Sequence, residues 1–243
     1  MANYPQSIAE YEAHKKQVKL VNDIYCGRDT AKQHLRKFER EENNDFANRQ
    51  LDCTIDNYVF RTVQTRKNII FRKPINLSNI TNKTLEEWCE KDFDLKGNSI
   101  NDFGKDWLVN ADRDGFAFAL VDTPQRTEDI VTALDEQENN IRPYALLIKR
   151  EDLFYWEMDS YGNYKVIAFY ESYEVENDGL FGFETKQQVK AFFNDGTVRI
   201  YRENEEVANY YRDVKEITIY KLGKSDIPMF YDMSAINIKQ MNR

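Results

Sequence analysis

Gln188-Val-Lys-Ala-Phe-Phe193 and Thr197-Val-Arg-Ile-Tyr-Arg202 flank the triplet Asn194-Asp195-Gly196. Two β-branched and aromatic runs joined by an Asn-Asp-Gly turn predict a β-hairpin, because the glycine supplies the positive φ that such a turn needs. Working outward, the spacing predicts strands at Tyr144–Lys149, Phe154–Met158, Tyr164–Tyr173, Thr185–Phe193 and Ile217–Leu222. Asp159-Ser-Tyr-Gly162-Asn163 and Asn177-Asp178-Gly179 read as further turns. Strands joined by such short links predict an antiparallel meander and not a βαβ nucleotide fold. Phe116-Ala-Phe-Ala-Leu-Val121, stopped by Asp122-Thr-Pro124, reads as a strand buried on both faces.

Upstream of Gly115 the period changes to that of helices. Ser7 is a candidate cap for a first helix carrying Ile8, Tyr11, Val18, Val21 and Ile24. Asp29 is a candidate cap for a second, Thr30 to about Glu42. Phe46, Leu51, Ile55, Val59, Val63 and Ile70 then keep helical spacing, predicting one long helix from about Asp45 to Phe71 before Pro74. Thr84 and Ser99 are candidate caps for two shorter helices. The fold class expected is therefore α+β. Residues 1–113 form a helical region, and residues 114–231 form a mainly antiparallel β region with an acidic loop at 125–141. Residues 232–243 start a helix, capped by Asp232, that reaches Arg243 without a capping glycine. That ending predicts further chain beyond it.

Composition bounds the function. The 243 residues carry a formal charge of −8, with 41% apolar and 14% aromatic residues, enough for a genuine core. An acidic chain argues against a DNA-binding domain held by a broad basic face, but not against one that surrounds DNA without gripping it. Cys26, Cys53 and Cys89 are far apart, and His14 and His34 are the only histidines, so zinc and histidine-dependent nucleophilic catalysis lack their residues. Both histidines are expected at the surface. No glycine-rich phosphate loop occurs, so no cofactor is expected. Asp112, Asp114 and Asp122 are the candidate metal-binding carboxylates, yet a strand of about 20 Å between the last two separates them, and turn or cap roles are expected instead. The basic run Arg61, Arg66, Lys67, Arg72 and Lys73 reads as a solvated helix end, or as a contact for nucleic acid or an acidic neighbouring subunit.

The order of several segments resembles the N-terminal half of a tailed-bacteriophage portal protein. These segments are Tyr25-Cys-Gly27-Arg28-Asp29, Val63 through Pro74, Asp94-Leu-Lys-Gly97-Asn-Ser99-Ile100 and Asp114-Gly115-Phe-Ala-Phe-Ala-Leu-Val121. Arg142-Pro143-Tyr144, Trp156, and Ile227-Pro228 leading into Asp232-Met-Ser-Ala235 complete the series. The resemblance implies a structural, non-enzymatic subunit of a closed ring of about twelve copies at the capsid vertex, with a wing-like helix-and-sheet layout. It further implies three kinds of protein partner: the terminase large subunit, the major capsid or scaffold protein, and a head–tail adaptor. Double-stranded DNA would pass through the ring, no membrane would be involved, and the protein would reside in the virion after assembly in host cytoplasm. The alternatives are a metal-dependent phage nuclease using Asp112, Asp114 and Asp122, or a monomeric adaptor module.

Overall fold

The computed structural model describes residues 4–78, 80–126, 132–176, 182–212 and 215–242. The fold is α+β, with helices leading and two antiparallel sheets following. The helices are α1 (Ala9–Cys26), α2 (Arg28–Ala31, continued by a 3-10 turn Lys32–His34), α3 (Asn43–Asp52), α4 (Tyr58–Ile70), α5 (Lys83–Lys91) and α6 (Ile100–Asp114). Then come β1 (Ala117–Asp122), α7 (Ala133–Glu138), β2 (Tyr144–Lys149), β3 (Leu153–Met158), β4 (Tyr164–Glu176) and β5 (Phe183–Phe193). The chain continues through β6 (Thr197–Arg202), β7 (Glu205–Tyr211), β8 (Ile219–Leu222) and α8 (Tyr231–Met241).

The expected single meander is two sheets. β3 to β7 form a five-stranded meander, whereas β1 sits between β2 and β8 in a separate three-stranded sheet. β1 explains the division. Phe118 and Leu120 point with Ile148 into a core shared with Phe169, Phe192 and Val198 of the larger sheet. Ala119, on the opposite face, packs with Ala145 against Phe103 and Trp107 of α6. Large side chains face the sheet and small ones face the helix, so the strand is buried on both sides, as its continuous apolar run predicts. The molecule is layered as helices, small sheet and large sheet. Gly115 and Gly223 make the turn into this sandwich possible. Both have positive φ, and a Cβ on either would fall onto a backbone carbonyl oxygen, Ser225's and Gly115's respectively.

The predicted long helix from Asp45 to Phe71 is broken. Asn57 stops it: its Oδ1 accepts from Phe60 N at 2.8 Å, capping α4, while its Nδ2 donates to the Ile24 and Tyr25 carbonyls at the end of α1. The apolar period survives because Cys53, Val59 and Val63 still enter one core with Val21, Ile24, Phe230 and Met241. The helix expected from Thr30 to Glu42 shrinks to one α turn and one 3-10 turn. Beyond it, Arg49 holds the chain in an irregular path, bonding Arg36 O and both carboxylate oxygens of Glu41 and lying over Phe38 at 4.4 Å.

Four expected caps also move. Ile8, not Ser7, precedes α1, and its N–H donates to Phe154 O of β3 at 3.1 Å. Gly27 precedes α2 in place of Asp29, and Phe230 precedes α8, with Asp232 inside the first turn. Asn82 caps α5 in place of Thr84, whereas Ser99 caps α6 through a bond to Asp102 N, as expected. α8 packs on α1 and α4, so the last helix joins the first ones.

The Asn194-Asp195-Gly196 turn forms as predicted, with Gly196 at φ 93° and Asp195 Oδ1 accepting from Thr197 N at 2.8 Å. β7 is an addition to the strands read from sequence. Its hairpin with β6 turns on Glu203 and Asn204, both at positive φ (51° and 69°). Within the acidic stretch 125–141, α7 is opened by a capping box between Thr132 and Asp135. The predicted turn Asn177-Asp178-Gly179 lies outside the described residues.

Candidate functional site

The three candidate carboxylates come from two adjoining elements, Asp112 and Asp114 from the last turn of α6 and Asp122 from the end of β1. Each engages a different cation. Asp112, 5% exposed, takes a two-pronged contact from Arg66 of α4, with Nε at 2.8 Å and Nη2 at 3.3 Å. Asp114 is fully buried and receives Arg113 Nε at 2.7 Å and Nη2 at 2.8 Å, while the same guanidinium donates to Asn110 Oδ1. Burial pushes the Asp114 carboxyl upward, and the Arg113 guanidinium pulls against it.

Asp122 lies at the seam of the two sheets. Its Oδ2 accepts from Lys190 Nζ of β5 at 2.9 Å and from the Tyr144 hydroxyl of β2 at 3.0 Å. Arg212, just past β7, places Nη1 at 3.8 Å from Oδ1. Burial alone would lower the Lys190 ammonium, but the facing Asp122 carboxylate outweighs it and holds Lys190 above its usual range. Burial depresses Arg212 instead, with Asp122 opposing. Both cations also lie over the Phe192 ring, at 5.2 and 4.6 Å from its centroid.

All three aspartates are thus held in ion pairs, in place of the turn and cap roles expected for them: Asp112 and Asp122 join separate elements, whereas Asp114 pairs with Arg113 within α6. They are not gathered around one point. Among the described residues, no group of three or more His, Cys, Asp or Glu side chains is placed to hold a metal ion.

The five basic candidates separate by partner. Arg66 is held by Asp112, and Lys67 donates to Gln64 Oε1. Arg61, Arg72 and Lys73 are exposed at the helix and its C-terminal exit, where Ile69 and Ile70 are 68% and 53% exposed. The histidines are not plain surface residues: His14 Nδ1 bonds Gln17, and His34 Nε2 lies 2.8 Å from Asp23 Oδ2. Cys53 and Cys89 are buried and Cys26 exposed, all as free thiols. Arg142, from the Arg-Pro-Tyr segment, donates to Asp92 Oδ2 at 2.6 Å and covers Trp88.

One cleft of about 480 Å³ opens between α1 and the large sheet, lined by Tyr11, Lys19, Asn22, Arg150, Asp152 and Tyr170 among others. Burial, then repulsion from Glu151, raises the Asp152 carboxyl to about 6. Burial likewise raises the Tyr11 hydroxyl to about 12, and that hydroxyl donates to Glu151 O at 2.9 Å. Sequence reasoning missed Lys190, Arg212, Tyr144 and Asp152. Only Lys190 left a signal, as a lone cation inside an apolar strand run. No helix among the described residues is long and apolar enough to cross a membrane. Neither a protein-family model nor a curated protein sequence matches the chain.

Proposed function

We propose that the chain is a structural subunit of a phage portal ring, a conduit for double-stranded DNA at the capsid vertex that docks a terminase, a capsid or scaffold protein and a tail adaptor. One observation carries the reading: Asp112, Asp114 and Asp122, the carboxylates best suited to metal-dependent chemistry, are each committed to a separate cation inside the fold. The Asp112 and Asp122 pairs brace junctions between elements, which suits a part that bears load between neighbours. The helix-first, hairpin-sheet-second layout follows the order of the segments that carry the resemblance. The acidic balance limits adhesion to the phosphate backbone, a benefit in a channel through which DNA must slide.

The test is incubation of purified protein with plasmid DNA and Mg²⁺ or Mn²⁺. The portal reading expects intact plasmid. Cleavage that is abolished by Asp114→Ala would overturn it in favour of a nuclease.

A further inference from the structure

The distal half of the β4–β5 hairpin projects as a two-stranded arm. β3 pairs with β4 only as far as Phe169, and β6 pairs with β5 only between Val189 and Phe192. Residues 171–176 and 183–188 therefore have each other and no third strand among the described residues. A lone two-stranded ribbon is marginal in water and gains most from being covered. Its composition is lopsided: Glu171, Glu174, Glu176 and Glu184 stand against the single cation Lys186. Lys186 is paired with Glu184 at 3.4 Å, and Glu171 accepts from Gln188. Glu174 and Glu176 remain exposed on one face, beside Phe183, which is 64% exposed.

The end of α4 is the converse surface. Arg72 and Lys73 are exposed and engage no carboxylate among the described residues, and they follow exposed Ile69 and Ile70 with the half-buried Phe71 between. The Ile75 N–H, bonded to Asn101 Oδ1 at 2.6 Å, fixes the exit of this segment. A phosphate backbone would match the cations but not the isoleucines, and a molecule of charge −8 repels DNA elsewhere. An acidic surface with an apolar tip matches both.

We infer that the acidic β4–β5 arm of one copy docks on the basic, apolar end of α4 of the next copy. The contact joins two different surfaces, so it is head-to-tail and repeats around a ring or along a filament. The inference rests on the ring reading for the identity of the partner, and it adds which surfaces meet.

The test is sedimentation velocity across a concentration series on four forms of the protein. These are the parent, Glu174→Lys with Glu176→Lys, Arg72→Glu with Lys73→Glu, and all four changes together. All four positions are exposed, and circular dichroism checks that each form is folded. Each pair of reversals is expected to raise the concentration for half-association about tenfold, and the combined form to restore it to within about threefold of the parent. Association unmoved by either reversal overturns the arm contact and leaves the ring reading standing. Weakening without restoration in the combined form also overturns the arm contact. A parent that stays monomeric at every concentration overturns both.

Discussion

Lys190 of the large sheet reaches Asp122 of the small sheet at 2.9 Å, and this contact ties the two sheets at their seam. Both side chains are almost fully withdrawn from water, at 9% and 1% exposure. Removing one partner of such a pair strands the other in a low-dielectric interior. Lys190→Met is therefore expected to lower unfolding stability by about 3 kcal/mol, read from urea melts, with Arg212 and Tyr144 softening the loss. A loss under about 1 kcal/mol would show that the pair does not brace the seam.

Asn57 caps one helix while satisfying the carbonyls of another, so a single side chain sets the break between α3 and α4 and the docking of α1. Asn57→Ala is expected to cost about 2 to 3 kcal/mol, more than an ordinary lost cap, measured by the same melts.

Asp152 predicts a pH dependence. Its folded carboxyl titrates at about 6 against an ordinary 3.8, so the folded state binds the proton more tightly than the unfolded chain does. Its contribution to stability is full below the ordinary value and is lost as pH rises from 3.8 to about 6. Asp152→Asn should therefore be more stable than the parent at neutral pH by about 1 kcal/mol, discounting for partial solvent access. The gap should close toward pH 4, about the ordinary value of the carboxyl. A gap of constant size in thermal melts across that range would contradict the assignment.

The β6–β7 turn holds Glu203 and Asn204 at positive φ, a conformation that asparagine and glycine adopt more readily. Glu203→Asn combined with Asn204→Gly is expected to raise stability by about 0.5 to 1 kcal/mol. A melting temperature that falls would mean that the turn is held by other contacts.

These sites also show where the sequence was readable. The Asn194-Asp195-Gly196 hairpin was legible because a glycine marks the one residue that needs positive φ. Glu203-Asn204 carries no such mark, and β7 went unread with it. The doubly buried β1 was legible from Phe116 to Val121 because apolar residues fill both faces. The break at Cys53–Asn57 was hidden because the apolar period runs through it, and the reason for it lies in carbonyls of α1 more than 30 residues away. The partners of the aspartates were hidden for the same reason: Lys190 is 68 residues from Asp122, and only the stacking of two sheets brings them together. Local chemistry could be read along the chain, whereas the ion pairs depend on which elements meet.

The central claim is that the exposed chemistry of this chain serves contacts between copies. Native mass spectrometry of the purified protein tests it most directly. The account predicts one dominant closed assembly whose mass is a whole-number multiple of the subunit, with no ladder of sizes on dilution. A single subunit mass at micromolar concentration would contradict it.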